Sequence, residues 1–201
     1  MNVQNAITPK RLLAVLIAIG AISALYVIFS ATGNPVQKPA TAVSAPAGFV
    51  LSPNRPQAPK APFLSPEGET VALQDFAGDV LLVNIWATWC APCLKEMPSL
   101  DRLQAAYADA PFRVLAVSID AKGQSVAQEF LDRLDITTFA AYSDPRAAFA
   151  VALGADAAVP TTVLIGADGR EVGRLVGPAD WSAEPARRLI AKALSETAKP
   201  D

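Results

Sequence analysis

The chain carries only two cysteines, Cys90 and Cys93, in the stretch WATWCAPCLKEMP (Trp86 to Pro98), and it contains no histidine. Two thiols three residues apart can exchange disulfides, close a structural disulfide or bind a soft metal. Each option asks for different surroundings. A four-residue ring constrains the unfolded chain very little, so a purely structural bridge gains little stability. Zinc needs four ligands, and with no further cysteine and no histidine a structural zinc site has too few; only a two-coordinate Cu(I) thiolate site remains as a metal alternative. For exchange, Cys90 ends a strand-to-loop segment and Cys93 falls in the first turn of the following helix. A thiol at a helix N-terminus meets unpaired N–H groups and the positive end of the dipole, which favour the thiolate and make Cys90 the nucleophile. Cys93 is placed one turn along to attack a mixed disulfide and resolve it, and Pro92 restricts the loop between them.

Without histidine, proton transfer falls to carboxylates, thiols or water. Glu96 lies one helical turn past Cys93 on nearly the same face. It is either a surface glutamate or a partly buried carboxylate beneath the dithiol. In the second case burial raises its pKa, its charge opposes thiolate formation, and it can pass protons to and from Cys93. Val159-Pro160-Thr161 is a further candidate feature, a proline directly before an apolar strand.

The elements that must position these residues are legible as hydrophobic patterns. VLLVNIW (Val80 to Trp86) is continuously apolar, as expected of a strand covered on both faces. The helix after the cysteines places Leu94, Met97, Leu100, Leu103 and Tyr107 on one face, with Pro98 inside it. Further strands are expected at Thr70 to Leu73 (an edge), Phe112 to Ile119, Phe139 to Tyr142 and Thr161 to Ile165. The last is followed by the turn Ala167-Asp168-Gly169 and a hairpin partner, Glu171 to Val176. Helices are expected over Ser125 to Leu134, from an Asp144 cap through Leu153, and from a Ser182 N-cap onward with Pro185 in its first turn. The alternation predicts an α/β sandwich with a mixed sheet.

Ahead of this domain the composition changes. Residues 12–31, LLAVLIAIGAISALYVIFSA, carry no charge, and twenty residues of helix span about 30 Å, enough to cross a bilayer. Lys10 and Arg11 precede the run, so residues 1–11 are expected in the cytoplasm and the rest across the membrane. Cleavage as a signal peptide at Ala31-Thr32-Gly33 is the rival outcome; no cysteine follows for a lipoprotein anchor. Residues 32–62, rich in Pro and Ala, read as a semi-rigid linker, leaving 63–201 as the folded domain. Four of the 17 basic residues precede residue 60 and no acidic one does, so the remainder holds 13 basic against 19 acidic residues. That net charge of −6 argues against nucleic-acid binding.

WATWCAPCLKEMPSLD (Trp86 to Asp101) and VPTTVLIGADGREVGRLVG (Val159 to Gly177) resemble the membrane-anchored thioredoxin-like family that includes TlpA, ResA and CcmG. The stretch GPADW (Gly177 to Trp181) and the helix after it are most similar to TlpA members. The resemblance implies a thioredoxin-like fold with an N-terminal β extension and a central insertion near Lys122 to Tyr142. It implies that Cys90 attacks, Cys93 resolves, the two close a redox disulfide, Glu96 is the buried glutamate and Pro160 is cis. Trp89 flanks the nucleophile, and Val159, Pro160 and Thr161 meet the client. CcmG-like members carry an acidic residue after the cis-proline, and Thr161 here favours TlpA or ResA. The implied activity is reduction of disulfides in periplasmic proteins by a single-pass inner-membrane protein, with no cofactor and no metal. The implied electron donor is a transmembrane protein of the CcdA or DsbD type. Implied clients are a Sco-type copper chaperone and the oxidase copper-site subunit, or apocytochrome c in cytochrome maturation. A Cu(I)-binding metallochaperone is the alternative from another class.

Overall fold

The computed structural model describes residues 45–197. The expected cytoplasmic tail (1–11), transmembrane anchor (12–31) and first part of the linker lie outside the described residues. Among the described residues no helix is long and apolar enough to cross a membrane.

Eight strands form one mixed sheet in the order β1-β8-β7-β4-β5-β6-β2-β3. They are β1 (Val50–Leu51), β2 (Phe63–Leu64), β3 (Thr70–Val71), β4 (Val80–Trp86), β5 (Phe112–Ser118), β6 (Ala141–Ser143), β7 (Thr161–Ile165) and β8 (Glu171–Val176). A short 3₁₀ turn, Leu73–Phe76, precedes β4. Helices α1 (Ala91–Ala106), α2 (Gln124–Arg133), α3 (Ala148–Ala152) and α4 (Glu184–Thr197) complete the fold.

The central strand is β4, parallel to β5 and antiparallel to β7. All seven of its residues are buried, which is why VLLVNIW reads as an unbroken apolar run. Strand periodicity then sorts its side chains between two cores. Val80, Leu82 and Trp86 pack in one cluster with Met97, Leu100 and Leu103 of α1, Ala127 and Leu131 of α2, and Leu189 and Ile190 of α4. Leu81, Val83 and Ile85 face the other cluster, with Phe63, Leu73 and Phe149. Asn84 shares the parity of Leu82 and Trp86, so its amide points toward the α1 and α4 side. There α1 runs through Pro98, with Met97 and Leu100 fully buried on either side of the proline.

The N-terminal β extension and the inserted helix and strand, α2 and β6, are present as the resemblance implied. Three expectations are corrected. Residues 45–62 are not a free linker but part of the folded body. Val50 and Leu51 pair with Arg174 and Gly173 of β8, Gln57 bridges to Arg170, and Ala58 is buried. Ala58 N–H donates to the Gly169 carbonyl and Glu171 N–H donates to the Pro56 carbonyl. A Pro-rich segment has too few large side chains to build a core, but its extended backbone can still close the open edge of β8.

The close approach of β1 also explains a glycine. A Cβ on Gly173 would lie 2.5 Å from the Val50 carbonyl oxygen. At the last helix, Ser182 is not the N-cap. Its hydroxyl donates to Asp180 (2.6 Å) and accepts from Arg102, while the helical ladder begins at the Ala183 carbonyl. Asp144 does accept from the Ala148 and Ala150 N–H groups at 3.0 and 2.9 Å, but from three residues before the N-cap position, Ala147.

Candidate functional site

Cys90 and Cys93 are joined in a disulfide with Cα atoms 5.3 Å apart. Cys90 occupies the N-cap of α1 in extended backbone geometry, and its sulfur accepts from the Cys93 N–H at 3.3 Å. One of the orphan donors of the helix N-terminus thus points at the Cys90 sulfur, where it stabilises negative charge once the disulfide opens. Cys93 is fully buried and Cys90 nearly so, while Trp89 beside them is 68% exposed. An indole left in water next to a reactive sulfur is an accessible apolar contact for a docking protein.

The loop that carries Trp89 is pinned from behind. Thr88 donates to Asp120 twice, through its N–H (2.9 Å) and its hydroxyl (2.8 Å). Asp120 is itself fixed by the Ser118 hydroxyl at 2.6 Å, at the C-terminal end of β5. The end of one strand therefore sets where the loop after its neighbour turns into α1.

The Val159–Pro160 peptide is cis. Thr161 pairs with Ile85, so Pro160 stands at the end of β4 from which the cysteine loop departs. Val159 is half-buried and packs against the cluster that includes both cysteines. The Pro160 carbonyl is occupied by the Gly177 N–H at 2.8 Å. Thr161 differs from its expected place at the client surface. Its side chain is buried and its hydroxyl donates to the Ala158 carbonyl at 2.6 Å, because β7 is covered on both faces.

Glu96 is buried, and each of its oxygens has partners. Oε1 accepts from Asn84 Nδ2 at 2.8 Å; Oε2 accepts from Ala179 N–H at 3.1 Å and Trp181 Nε1 at 3.3 Å. Burial pushes its pKa from 4.5 up to about 7, against the pull of these three hydrogen bonds. Every partner is neutral; no arginine or lysine salt bridge reaches Glu96 among the described residues. A carboxyl poised near neutrality is suited to both taking and giving a proton.

Sequence reading missed the cage around it. Asn84 interrupts an apolar strand, and a polar side chain in such a run must find buried partners; that was the available signal. Trp181 lies 85 residues further along the chain, and no spacing rule connects it to Glu96. Ser99 completes the attachment, donating to the Glu96 carbonyl (2.7 Å) and accepting from the Trp181 N–H (3.0 Å).

The redoxin family model matches residues 36–190. The chain belongs to the redoxin family. Among similar proteins are the thioredoxin-like protein YneN of Bacillus subtilis, 41% identical over 83 residues (40% of this chain, 48% of that one). The thiol-disulfide oxidoreductase ResA of Bacillus cereus is 28% identical over 111 residues (55% of this chain, 62% of that one). The chain thus spans about half the length of the first of these curated relatives and less than two thirds of the second. Among solved structures, one assigned as the thiol:disulfide interchange protein DsbE of Chlorobium tepidum is 31% identical. It superposes with a TM-score of 0.61 over 69% of this redoxin and 95% of that chain. This redoxin has the thioredoxin-like α/β fold, with its Cys90–Cys93 disulfide at the start of α1.

Proposed function

We propose that the chain is a membrane-tethered reductant of protein disulfides, held in the inner membrane by residues 12–31 with residues 45–197 in the periplasm. The strongest support for a reducing, proton-handling site is Glu96, caged by neutral donors one turn past the resolving thiol. In the cycle, Cys90 thiolate attacks a client disulfide, forming a Cys90–client bond and expelling one client thiolate. Cys93 then gives its proton to the Glu96 carboxylate, and its thiolate attacks the Cys90 sulfur. The Cys90–Cys93 disulfide forms and the second client thiolate leaves. Two electrons pass to the client, and the client thiolates take up protons from Glu96 and solvent. Trp89, Val159 and the cis-Pro160 edge receive the client.

An oxidising compartment demands continual resupply of the dithiol, and tethering keeps the domain beside a membrane donor of the CcdA or DsbD type. Among clients we favour the TlpA-type assignment, a Sco-type copper chaperone or the copper-site subunit of cytochrome oxidase. The GPADW segment supports it, because that stretch supplies Ala179 and Trp181 to the Glu96 cage. The test is to express Cys93→Ser in native membranes and identify what becomes disulfide-linked to Cys90. An oxidase-assembly protein supports this reading, and an apocytochrome moves the protein to cytochrome maturation. Tight Cu(I) binding by the reduced wild type, with no client trapped, makes it a metallochaperone instead.

A further inference from the structure

Three donors reach Glu96, but they are not equivalent. Ala179 N–H and Trp181 Nε1 both serve Oε2, and both are fixed in polarity, able only to donate. Oε1 has one partner, the Asn84 amide, whose two ends have opposite polarity. Asn84 Nδ2 donates to Glu96 Oε1 at 2.8 Å and to Thr162 Oγ1 at 2.9 Å, from a residue with no exposed surface. Its Oδ1 is buried and has no hydrogen-bond partner. An amide that uses one end twice and leaves the other unpaired is unusual in a core, where buried polar atoms are nearly always paired.

Rotating this amide by half a turn presents Oδ1 to the same two neighbours. That orientation is matched only when Glu96 carries a proton on Oε1 and donates it, and when the Thr162 hydroxyl donates rather than accepts. A hydroxyl can do either. Both orientations therefore make two bonds and leave the other end of the amide unpaired, one set suited to the carboxylate and the other to the carboxylic acid.

We propose that Asn84 and Thr162 form a reversible hydrogen-bond relay whose amide turns with the protonation of Glu96. The relay confines the exchanged proton to Oε1, and Asn84 is a positioning residue for its transfer. This rests on the reading of Glu96 as the proton carrier for Cys93. Among the described residues no charged side chain bonds to Glu96. On α1 the neighbour one turn away is Cys93, held in the disulfide of the oxidised protein; β4 contributes Asn84 and β7 contributes Thr162. The segment after β8 contributes Ala179 and Trp181, and its Asp180 is exposed and bonded to Ser182 instead. Burial already holds Glu96 at about 7, so both protonation states are populated near neutral pH.

Two measurements on the full chain test the relay. In oxidised wild type carrying ¹³C-labelled glutamate and ¹⁵N-labelled asparagine, the Glu96 carboxyl and the Asn84 side-chain amide are followed by NMR from pH 4 to 9. The two signals are expected to move with one midpoint, the amide protons losing their hydrogen-bonded shifts as Glu96 is protonated. In Asn84→Leu, which keeps the volume, the carboxylate loses a charge-assisted donor and the acid only a weaker neutral acceptor, so the Glu96 midpoint rises. The pH profile of disulfide exchange moves with it.

An Asn84 amide that stays in its hydrogen-bonded state while Glu96 titrates overturns the proposal, and this reading needs no variant to fold. An unchanged Glu96 midpoint in folded Asn84→Leu overturns it as well. If the midpoint moves but the exchange profile does not, the relay stands and the role of Glu96 as proton carrier for Cys93 fails.

Discussion

Glu96 is where burial and chemistry oppose each other most directly. Its native-state pKa is raised from 4.5 to about 7 by loss of solvent. Between those values the native state holds a proton that the unfolded chain has released. The contribution of Glu96 to stability is therefore fully present below pH 4.5 and is lost as pH rises to about 7, by about 3 kcal/mol at most. Glu96→Gln keeps the shape and removes this slope, so urea unfolding of the oxidised proteins at pH 5 and pH 8 should show a decline in wild type that the variant lacks. The same substitution should slow the resolving step by about 10²-fold, read as accumulation of mixed disulfide in stopped flow. At the cysteines the expected outcomes differ in kind. Cys90→Ser abolishes client reduction, and Cys93→Ser retains the first attack and traps the client; reduction at the normal rate by Cys90→Ser would refute the order of attack.

At the level of elements, the site is built where three strand ends meet. The end of β4 launches the cysteine loop, the end of β5 anchors it through Ser118 and Asp120, and the start of β7 brings the cis-proline alongside. Asp120→Ala removes both Thr88 bonds and leaves the Ser118 hydroxyl without its acceptor. A loss of about 2–3 kcal/mol in chemical denaturation is expected, with faster amide exchange at Thr88. The strands β4, β5 and β7 were legible because each is a buried, largely apolar run, and the hairpin because Ala167-Asp168-Gly169 is a turn sequence. Thr161 and Ser182 were misplaced because their roles depend on which way one residue faces. A single register step or helix start decides that, and neither is written in residue type.

Across the whole molecule, the folded body starts well before the patterned core. Ser52 donates to Glu171 at 2.6 Å, and Glu171 pairs with Arg174 at 2.6 Å, tying residues 45–62 to β8. A chain begun at residue 63 is expected to melt on the order of 10 °C below one begun at residue 45, measured by calorimetry, because β8 loses its edge partner. The sequence by itself determined the chemistry: two thiols at a helix start, a carboxylate one turn on, no histidine to compete, and strands apolar enough to fix the fold class. These are local facts, set by spacing along a helix or alternation along a strand. The tertiary structure alone decided the state of that carboxylate. Asn84, Ala179 and Trp181 come from 12 residues before it and from more than 80 after it. They meet around Glu96 only because the sheet order places β4 and the segment after β8 against one face of α1. The pKa of a buried acid depends on that company, and no window of sequence contains it.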